Sequence, residues 1–288
     1  MGWLLLALMV VAIGLLVLAY FADDPRVDAV TDLMPPGSAV PQVLLQIWSH
    51  PDDETTISGT TVKYGSDPRC RQVACYFTAG EAGQPGIPPL CRQDELALVR
   101  RGEMAVAATL AGIDAHQIAD FGDGQLSGHA PEQLEEQAVR WIRRYRPAVI
   151  ITWDPSGASG HPDHIRTNQV VRAAFESAAD ADAFPRQIGE EGLEPHRTQR
   201  LFETVVPRRQ VEIYRKRAFR GNTLALDDRE QPTHALRVHG FARRRWRATR
   251  AHRTQCFSLV PFSAWYGWLI LAAQRKEYFA LTAEAPPK

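Results

Sequence analysis

The sequence has few cysteines and no excess of charge of either sign. Its four cysteines, Cys70, Cys75, Cys91 and Cys256, are too few and too irregularly spaced for a disulfide framework or a zinc knuckle. We expect buried thiols, although Cys70 could pair with Cys75 or Cys91 in an oxidising compartment. The 33 basic and 33 acidic residues give a formal net charge of zero, so no nucleic acid partner is expected.

The balanced total conceals a basic C-terminal region. Residues 207–253 carry about 14 Lys and Arg against about 4 Asp and Glu, whereas the part before them is acidic. Such a region could face phosphate or an anionic membrane. Solvated helix faces with salt bridges to the acidic half would explain the same pattern.

The longest hydrophobic run lies at the N terminus. Residues 2–21 carry no charged side chain, and about 20 residues at about 1.5 Å each span the hydrocarbon core of a bilayer. No Lys or Arg precedes the run and no clean cleavage site follows it, which favours an uncleaved transmembrane anchor over a signal peptide. We therefore predict a single-pass membrane protein, and the acidic flank favours a non-cytoplasmic catalytic domain.

Three regions follow from this pattern. The anchor occupies residues 1–21, and residues 22–41, which hold several prolines and a glycine, form a tether. Residues 42–288 form one catalytic domain, because a chain of this length can bury a substantial single core.

Within the domain, apolar runs alternate with helical patterns. Continuous apolar runs predict strands at 43–49, 73–79 and 148–153, and we expect a further short strand at 116–121. Apolar residues at helical spacing predict helices at 94–110, 131–145 and 261–276. This alternation predicts an α/β protein with a Rossmann-like three-layer fold and a mostly parallel sheet, preceded by one transmembrane helix.

Two His-Pro-Asp turns follow two of the predicted strands. The first, at 50–52, comes directly after strand 43–49, and the second, at 161–163, comes shortly after strand 148–153. In both we expect Pro as the first residue of a helix, and helix capping alone could explain either turn. Functional groups in such sheets collect at the carboxyl ends of the strands. The two turns therefore meet if these two strands are neighbours.

The side chains of the two turns suit a metal-dependent hydrolase. His50, Asp53 and His164 offer two imidazoles and one carboxylate, a set suited to one zinc ion with an open position for water. Adjacent carboxylates point in different directions, so Asp52 can take a proton from the attacking water. His161 can stabilise the developing oxyanion. Magnesium held by acidic residues is the alternative, which the histidines disfavour.

Five motifs between residues 42 and 257 point to one known family. They are SHPDDE at 49–54, TAGEAG at 78–83, an Arg-x-x-Glu helix at 100–103, TWDPSGASGHPDH at 152–164 and AHRTQ at 251–255. With these motifs the chain resembles the LmbE/PIG-L family of zinc-dependent de-N-acetylases. The paired HPDDE and HPDH motifs are the most specific part of the resemblance.

The resemblance implies roles for individual residues. It implies the same three zinc ligands, Asp52 as general base and proton donor to the leaving amine, and His161 as oxyanion stabiliser. Asp163 would orient a histidine, as carboxylates commonly do around metal ligands. Three further residues would line the substrate cleft: Glu81, Arg100 and His252. Ion pairing within the fold, or for the last an exposed helix position, would equally explain their presence.

The implied activity is removal of the acetyl group from an N-acetylglucosamine-type amino sugar, as a small molecule or linked to inositol or lipid. The predicted anchor and the basic C-terminal region favour a lipid-linked, phosphate-bearing substrate held near membrane lipid. Two alternatives are a catalytically silent, membrane-anchored module that binds glycan or lipid headgroups, and a hydrolase of another amide. Asp52 argues against the silent module, because metal binding would not require this second carboxylate.

Overall fold

The structure is a computed structural model, and it describes only part of the 288-residue chain. The described residues are Gly14, 27–36, 41–206 and 231–285. Apart from Gly14, the predicted anchor lies outside these residues, and so do residues 207–230 of the predicted basic region.

The prediction of a single-pass membrane protein is corrected by the helices of the structure. None of the helices in the described residues is long and apolar enough to cross a membrane. A span needs about 20 predominantly apolar residues. The two longest helices of this part of the chain, Leu96–Ala111 and Pro162–Ser177, have 16 residues each and carry charged side chains.

One mixed sheet forms the centre of the fold. Its strands are β1 Ala29–Val30, β2 Gln42–Trp48, β3 Cys70–Tyr76, β4 Ala115–Ile118, β5 Val149–Thr152, β6 Arg200–Val205, β7 His234–Arg237 and β8 Lys276–Glu284. They are ordered β1-β7-β8-β6-β5-β2-β3-β4, and every pairing is parallel except the two that β8 makes with β6 and β7. The prediction of a mostly parallel sheet is confirmed.

Helices cover both faces of the sheet. The described helices are α1 Ser58–Tyr64, α2 Leu96–Ala111, α3 Pro131–Tyr145, α4 Gly157–Gly160, α5 Pro162–Ser177, α6 Pro185–Gly189, α7 Ala242–Ala251 and α8 Gly267–Ala273. Helices α1, α2 and α7 contribute to one apolar core with Leu44 and Trp48 of β2. Helices α3 and α5 contribute to the other core with Leu45 and Ile47. Side chains of β2 thus point alternately into the two cores, which explains why its apolar run is continuous. The prediction of a Rossmann-like α/β fold is confirmed.

Strands β2 and β5 are neighbours. Leu44 pairs with Val149, and Gln46 pairs with Ile151, in parallel register. The carboxyl ends of both strands therefore lie at one edge of the sheet, where the two His-Pro-Asp turns meet.

The C-terminal part of the sheet differs from the sequence-based prediction. Residues 261–276 were expected to form one helix, but only Gly267–Ala273 is helical as α8, and Lys276 already begins β8. Strand β8 pairs with β6 on one side and with β7 on the other. These long-range pairings, rather than a local pattern, determine its conformation.

Part of the predicted tether at 22–41 packs on the domain. Ala29 and Val30 pair with β7 and so extend the sheet by one short strand. Leu33 is buried in the first core, and its backbone N–H donates to the Tyr64 hydroxyl at 2.7 Å. These residues belong to the folded domain.

The four cysteines are free thiols in the structure. Cys75 is buried in β3, where burial raises the pKa of its thiol well above the usual range. The other three cysteines are partly buried.

Candidate active site

The first turn aims two adjacent carboxylates in different directions. Asp52 has a φ of 106°, a left-handed conformation that residues with a Cβ rarely adopt. Asp53 comes next and begins a short 3₁₀ turn, and its Oδ2 accepts the backbone N–H groups of Ser49 at 3.0 Å and His50 at 2.9 Å. Oδ1 of Asp52 lies instead 3.1 Å from Nη2 of Arg100.

The second turn has the expected helix start. Helix α5 begins at Pro162, and the N-cap residue His161 accepts the N–H of Asp163 on Nδ1 at 3.2 Å. The same expectation was wrong for the first turn, where Pro51 lies outside the 3₁₀ turn. The left-handed Asp52 separates this proline from the start of the turn.

The three predicted zinc ligands converge. One ligand atom from each of His50, Asp53 and His164 lies within 4.8 Å of the others. Nε2 of His164 lies 3.5 Å from Oδ1 of Asp53, and Nδ1 of His50 lies 3.8 Å from Oδ2 of Asp53. Nδ1 of His164 lies 3.0 Å from the carbonyl oxygen of Gly157. That contact leaves Nε2 facing Asp53.

His50 also faces two further carboxylates. Its Nε2 lies 2.8 Å from Oδ1 of Asp123 and 3.2 Å from Oδ2 of Asp163. Asp163 has 0% exposure and also accepts the backbone N–H groups of Gly124 and Leu126, at 2.7 and 3.1 Å. Burial alone would lower the pKa of His50, but hydrogen bonds to Asp123 and Asp163 raise it well above its ordinary value. Asp163 thus contacts both His50 and the backbone at 124–126.

Asp123 is a site residue that the sequence patterns did not single out. It lies on the loop after β4, where its Oδ2 accepts the N–H of Ala82 at 3.0 Å. Burial would raise the pKa of Asp123, but the hydrogen bond and charge of His50 lower it overall. An aspartate between two glycines at the carboxyl end of a predicted strand was the available signal.

The three residues expected to line the substrate cleft have other partners. Arg100 is buried and pairs with Asp52. Glu81 accepts the backbone N–H of Asp123 at 2.8 Å and so supports that loop. His252 has 0% exposure, and its Nε2 lies 2.6 Å from Oε1 of Glu54. The expectation that His252 contacts substrate is corrected, because no part of its ring is accessible.

The two adjacent aspartates differ in electrostatics as well as in direction. Burial raises the pKa of Asp52 to about 6, while the charge of Arg100 lowers it and that of Asp53 raises it. Burial would also raise the pKa of Asp53, but His164 and His50 lower it well below its usual range. The surroundings therefore favour the carboxylate form of Asp53, whereas they raise the pKa of Asp52 to about 6.

His161 lies beside the ligand cluster. Its ring stacks on that of His164, with ring centroids 4.7 Å apart. Burial and the neighbouring His164 lower the pKa of His161, which favours its neutral form. Because Nδ1 accepts the N–H of Asp163, the proton of the neutral ring lies on Nε2.

Comparison with known proteins relates the chain to a family. The model of the PIG-L family, GlcNAc-PI de-N-acetylase, matches residues 45–175. The 1D-myo-inositol 2-acetamido-2-deoxy-alpha-D-glucopyranoside deacetylase 1 of Frankia alni is 30% identical, over 83% of this chain and 93% of the relative. The deacetylase of Thermobispora bispora that acts on the same compound is also 30% identical, over 84% and 89%.

A solved structure shares the fold. The N,N'-diacetylchitobiose deacetylase of Pyrococcus horikoshii superposes with a TM-score of 0.63 at 20% identity, covering 84% of each chain. The sequence relatives and the family match show that the chain belongs to the PIG-L family, GlcNAc-PI de-N-acetylase.

Proposed function

We propose that this protein hydrolyses the acetamide of an N-acetylated amino sugar and releases acetate and a free amine. The observation that carries the proposal is the convergence of His50, Asp53 and His164 beside a separate carboxylate, that of Asp52. Family membership supports an acetamide on an amino sugar as the group attacked.

The donor set fits one zinc ion. Two imidazoles and one carboxylate suit zinc and leave a position open. Three carboxylates, those of Asp53, Asp123 and Asp163, lie around the histidines in a largely buried cluster, which a cation would stabilise. A second grouping, His50 with His161 and Asp163, fits less well because both oxygens of Asp163 already accept backbone N–H groups. Zinc held by His50, Asp53 and His164 would supply Lewis-acid activation at this site.

The chain's own residues move the protons. Asp52, whose side chain is 16% exposed, accepts a proton from the attacking water as the carbon–oxygen bond forms. His161 keeps its proton and donates a hydrogen bond from Nε2 to the acetamide oxygen as negative charge develops there. Asp52 then returns its proton to the nitrogen as the carbon–nitrogen bond breaks. The oxygen of the attacking water thus ends in acetate, and the proton that Asp52 carried ends on the amine.

We further propose N-acetylglucosamine linked to inositol as the substrate. Both named relatives are deacetylases of such a conjugate. A cavity of about 340 Å³ lies next to the 3₁₀ turn that follows Asp52, and its lining includes the hydroxyl side chains of Thr55, Thr204, Thr249 and Ser258 but none of the proposed ligands. Side-chain hydroxyls can donate to and accept from the hydroxyl groups of a second ring.

Mass spectrometry of substrates incubated with zinc-loaded protein tests the proposal. N-acetylglucosaminyl-inositol should lose one acetyl group, and free N-acetylglucosamine should react more slowly. Asp52→Asn should retain zinc and lower kcat by about 10²- to 10⁴-fold. If the zinc-loaded wild-type protein removes acetyl from no amino sugar, the proposal is wrong; turnover of an N-acetyl amino acid alone would identify an amidase of another class.

A further inference from the structure

Glu54 connects a fully buried histidine to the backbone of Asp52. Its Oε1 lies 2.6 Å from Nε2 of His252. Its Oε2 accepts the backbone N–H of Asp52 and the hydroxyl of Tyr76, both at 3.0 Å. Glu54 and His252 are both buried, so this chain of contacts reaches the proposed base from inside the protein.

Asp52 needs support from its surroundings because of its backbone conformation. A residue with a Cβ persists at a φ of 106° only when neighbouring groups hold it there. Thr55 donates to the carbonyl oxygen of Asp52 from its N–H at 3.0 Å and from its hydroxyl at 2.6 Å. Glu54 is the acceptor on the opposite, amide side. The two residues hold the peptide groups on both sides of the strained Cα.

His252 in turn holds Glu54. A buried carboxylate is costly without a partner, and His252 contributes a short ring-nitrogen contact to Oε1 of Glu54. The segment that carries His252 is fixed separately by Glu103, which accepts the N–H and the hydroxyl of Thr254 at 2.8 and 2.7 Å. Glu103 and Glu54 therefore bind the same segment, but of these two carboxylates it is Glu54 that contacts Asp52.

We propose that Glu54, held by His252, is a positioning residue for Asp52. It maintains the left-handed backbone that directs the Asp52 carboxylate away from the proposed ligand Asp53. The inference rests on the proposed function, in which Asp52 is the base. Glu54 and His252 act through Asp52 and not by contact with the substrate.

Steady-state kinetics of the zinc-loaded full chain test the proposal. Glu54→Ala should lower kcat by about 100-fold, since a small misplacement of the base is enough for such a loss. KM and zinc content should stay close to wild type. Glu54→Gln keeps an oxygen acceptor and should recover part of kcat, whereas His252→Gln should lower it. Glu135→Gln is the control, because Glu135 accepts the hydroxyl of Ser177 between α3 and α5, away from both turns, and should leave kcat unchanged.

The Asp52→Asn background separates positioning from a structural role. If Glu54 acts through Asp52, adding Glu54→Ala to Asp52→Asn should lower the residual kcat no further. A purely structural role would lower kcat in both backgrounds and would overturn the inference. If Glu54→Ala does not fold, Glu54→Gln and His252→Gln provide the same comparison.

The failure of this inference and that of the proposed function give different results. Wild-type kcat in Glu54→Gln and His252→Gln, with Asp52→Asn inactive, overturns the positioning role and leaves the proposed function intact. A wild-type protein that removes acetyl from no amino sugar overturns both.

Discussion

The indole ring of Trp153 stacks on the imidazole of His164, with ring centroids 4.2 Å apart and 8° between the ring planes. Nε1 of the same indole donates to Oδ2 of Asp53 at 3.2 Å. One buried side chain thus contacts two of the proposed zinc ligands. Trp153 directly follows β5, and Asp53 belongs to the turn after β2, so this side chain also joins the two turns of the site.

Trp153→Phe should weaken zinc binding. Phenylalanine keeps an aromatic ring beside His164 but has no donor for Asp53, and loss of such an orienting contact lowers metal affinity by about 10-fold. Competition against a chelator of known affinity measures the change. Trp141→Phe is the matched control, since Trp141 is buried in the second core and its Nε1 has no partner among the described residues. Equal zinc affinity in both variants would contradict the prediction.

Removal of zinc should abolish activity and lower stability together. A ligand that binds only the folded chain stabilises it by about 2.7 kcal/mol at 100 times its dissociation constant. Chelator-treated protein should therefore unfold at lower urea, and both properties should return on adding zinc. His164→Ala should show a much smaller zinc-dependent gain in the free energy of unfolding. Full activity of metal-free protein would rule out the proposed role of zinc.

The parts of the fold with strong local patterns could be predicted from the sequence. The continuous apolar run of β2 indicated a strand buried on both faces, and Pro131 marks the start of the predicted helix at 131–145, which is α3. The meeting of the two turns required one further condition, that β2 and β5 be neighbours, which the register confirms.

Features that depend on distant contacts could not be predicted. His252 and Glu54 are separated by 198 positions, so no local pattern showed that the histidine would be buried against that carboxylate. Asp123 approaches His50 because β4 lies two strands from β2, a position that the order of segments along the chain does not determine. Arg245 lies in a run of arginines but is buried, because Glu277 of β8 is its partner.

Arg245→Met should strongly destabilise the domain. Arg245 has 1% exposure, and its Nη2 lies 3.2 Å from Oε1 of Glu277. Glu277 also accepts the N–H of Gly59 on Oε1 and the N–H of Thr60 on Oε2. Removing one partner of a buried pair costs about 3–5 kcal/mol, because the other charge remains buried.

The control is Arg247→Met, at an exposed position of α7, which should change the free energy of unfolding by less than about 0.5 kcal/mol. Urea denaturation of both variants checks the difference, and equal losses would contradict it.

Gly80→Ala should lower activity by displacing Arg100. Gly80 has a φ of +70°, and a Cβ there would lie 2.0 Å from Nη1 of Arg100, so the guanidinium would have to leave Asp52. We expect kcat to fall by about 10- to 100-fold, because the base loses its orienting partner.

The control is Gly192→Ala, which has a similar backbone cost of about 1–2 kcal/mol. The φ of Gly192 is +66° and nothing lies within 4 Å of its added Cβ, so kcat should be unchanged in this control. Parallel measurement of kcat and urea unfolding separates the two effects. Wild-type kcat in Gly80→Ala would show that the contact between Arg100 and Asp52 is dispensable for turnover.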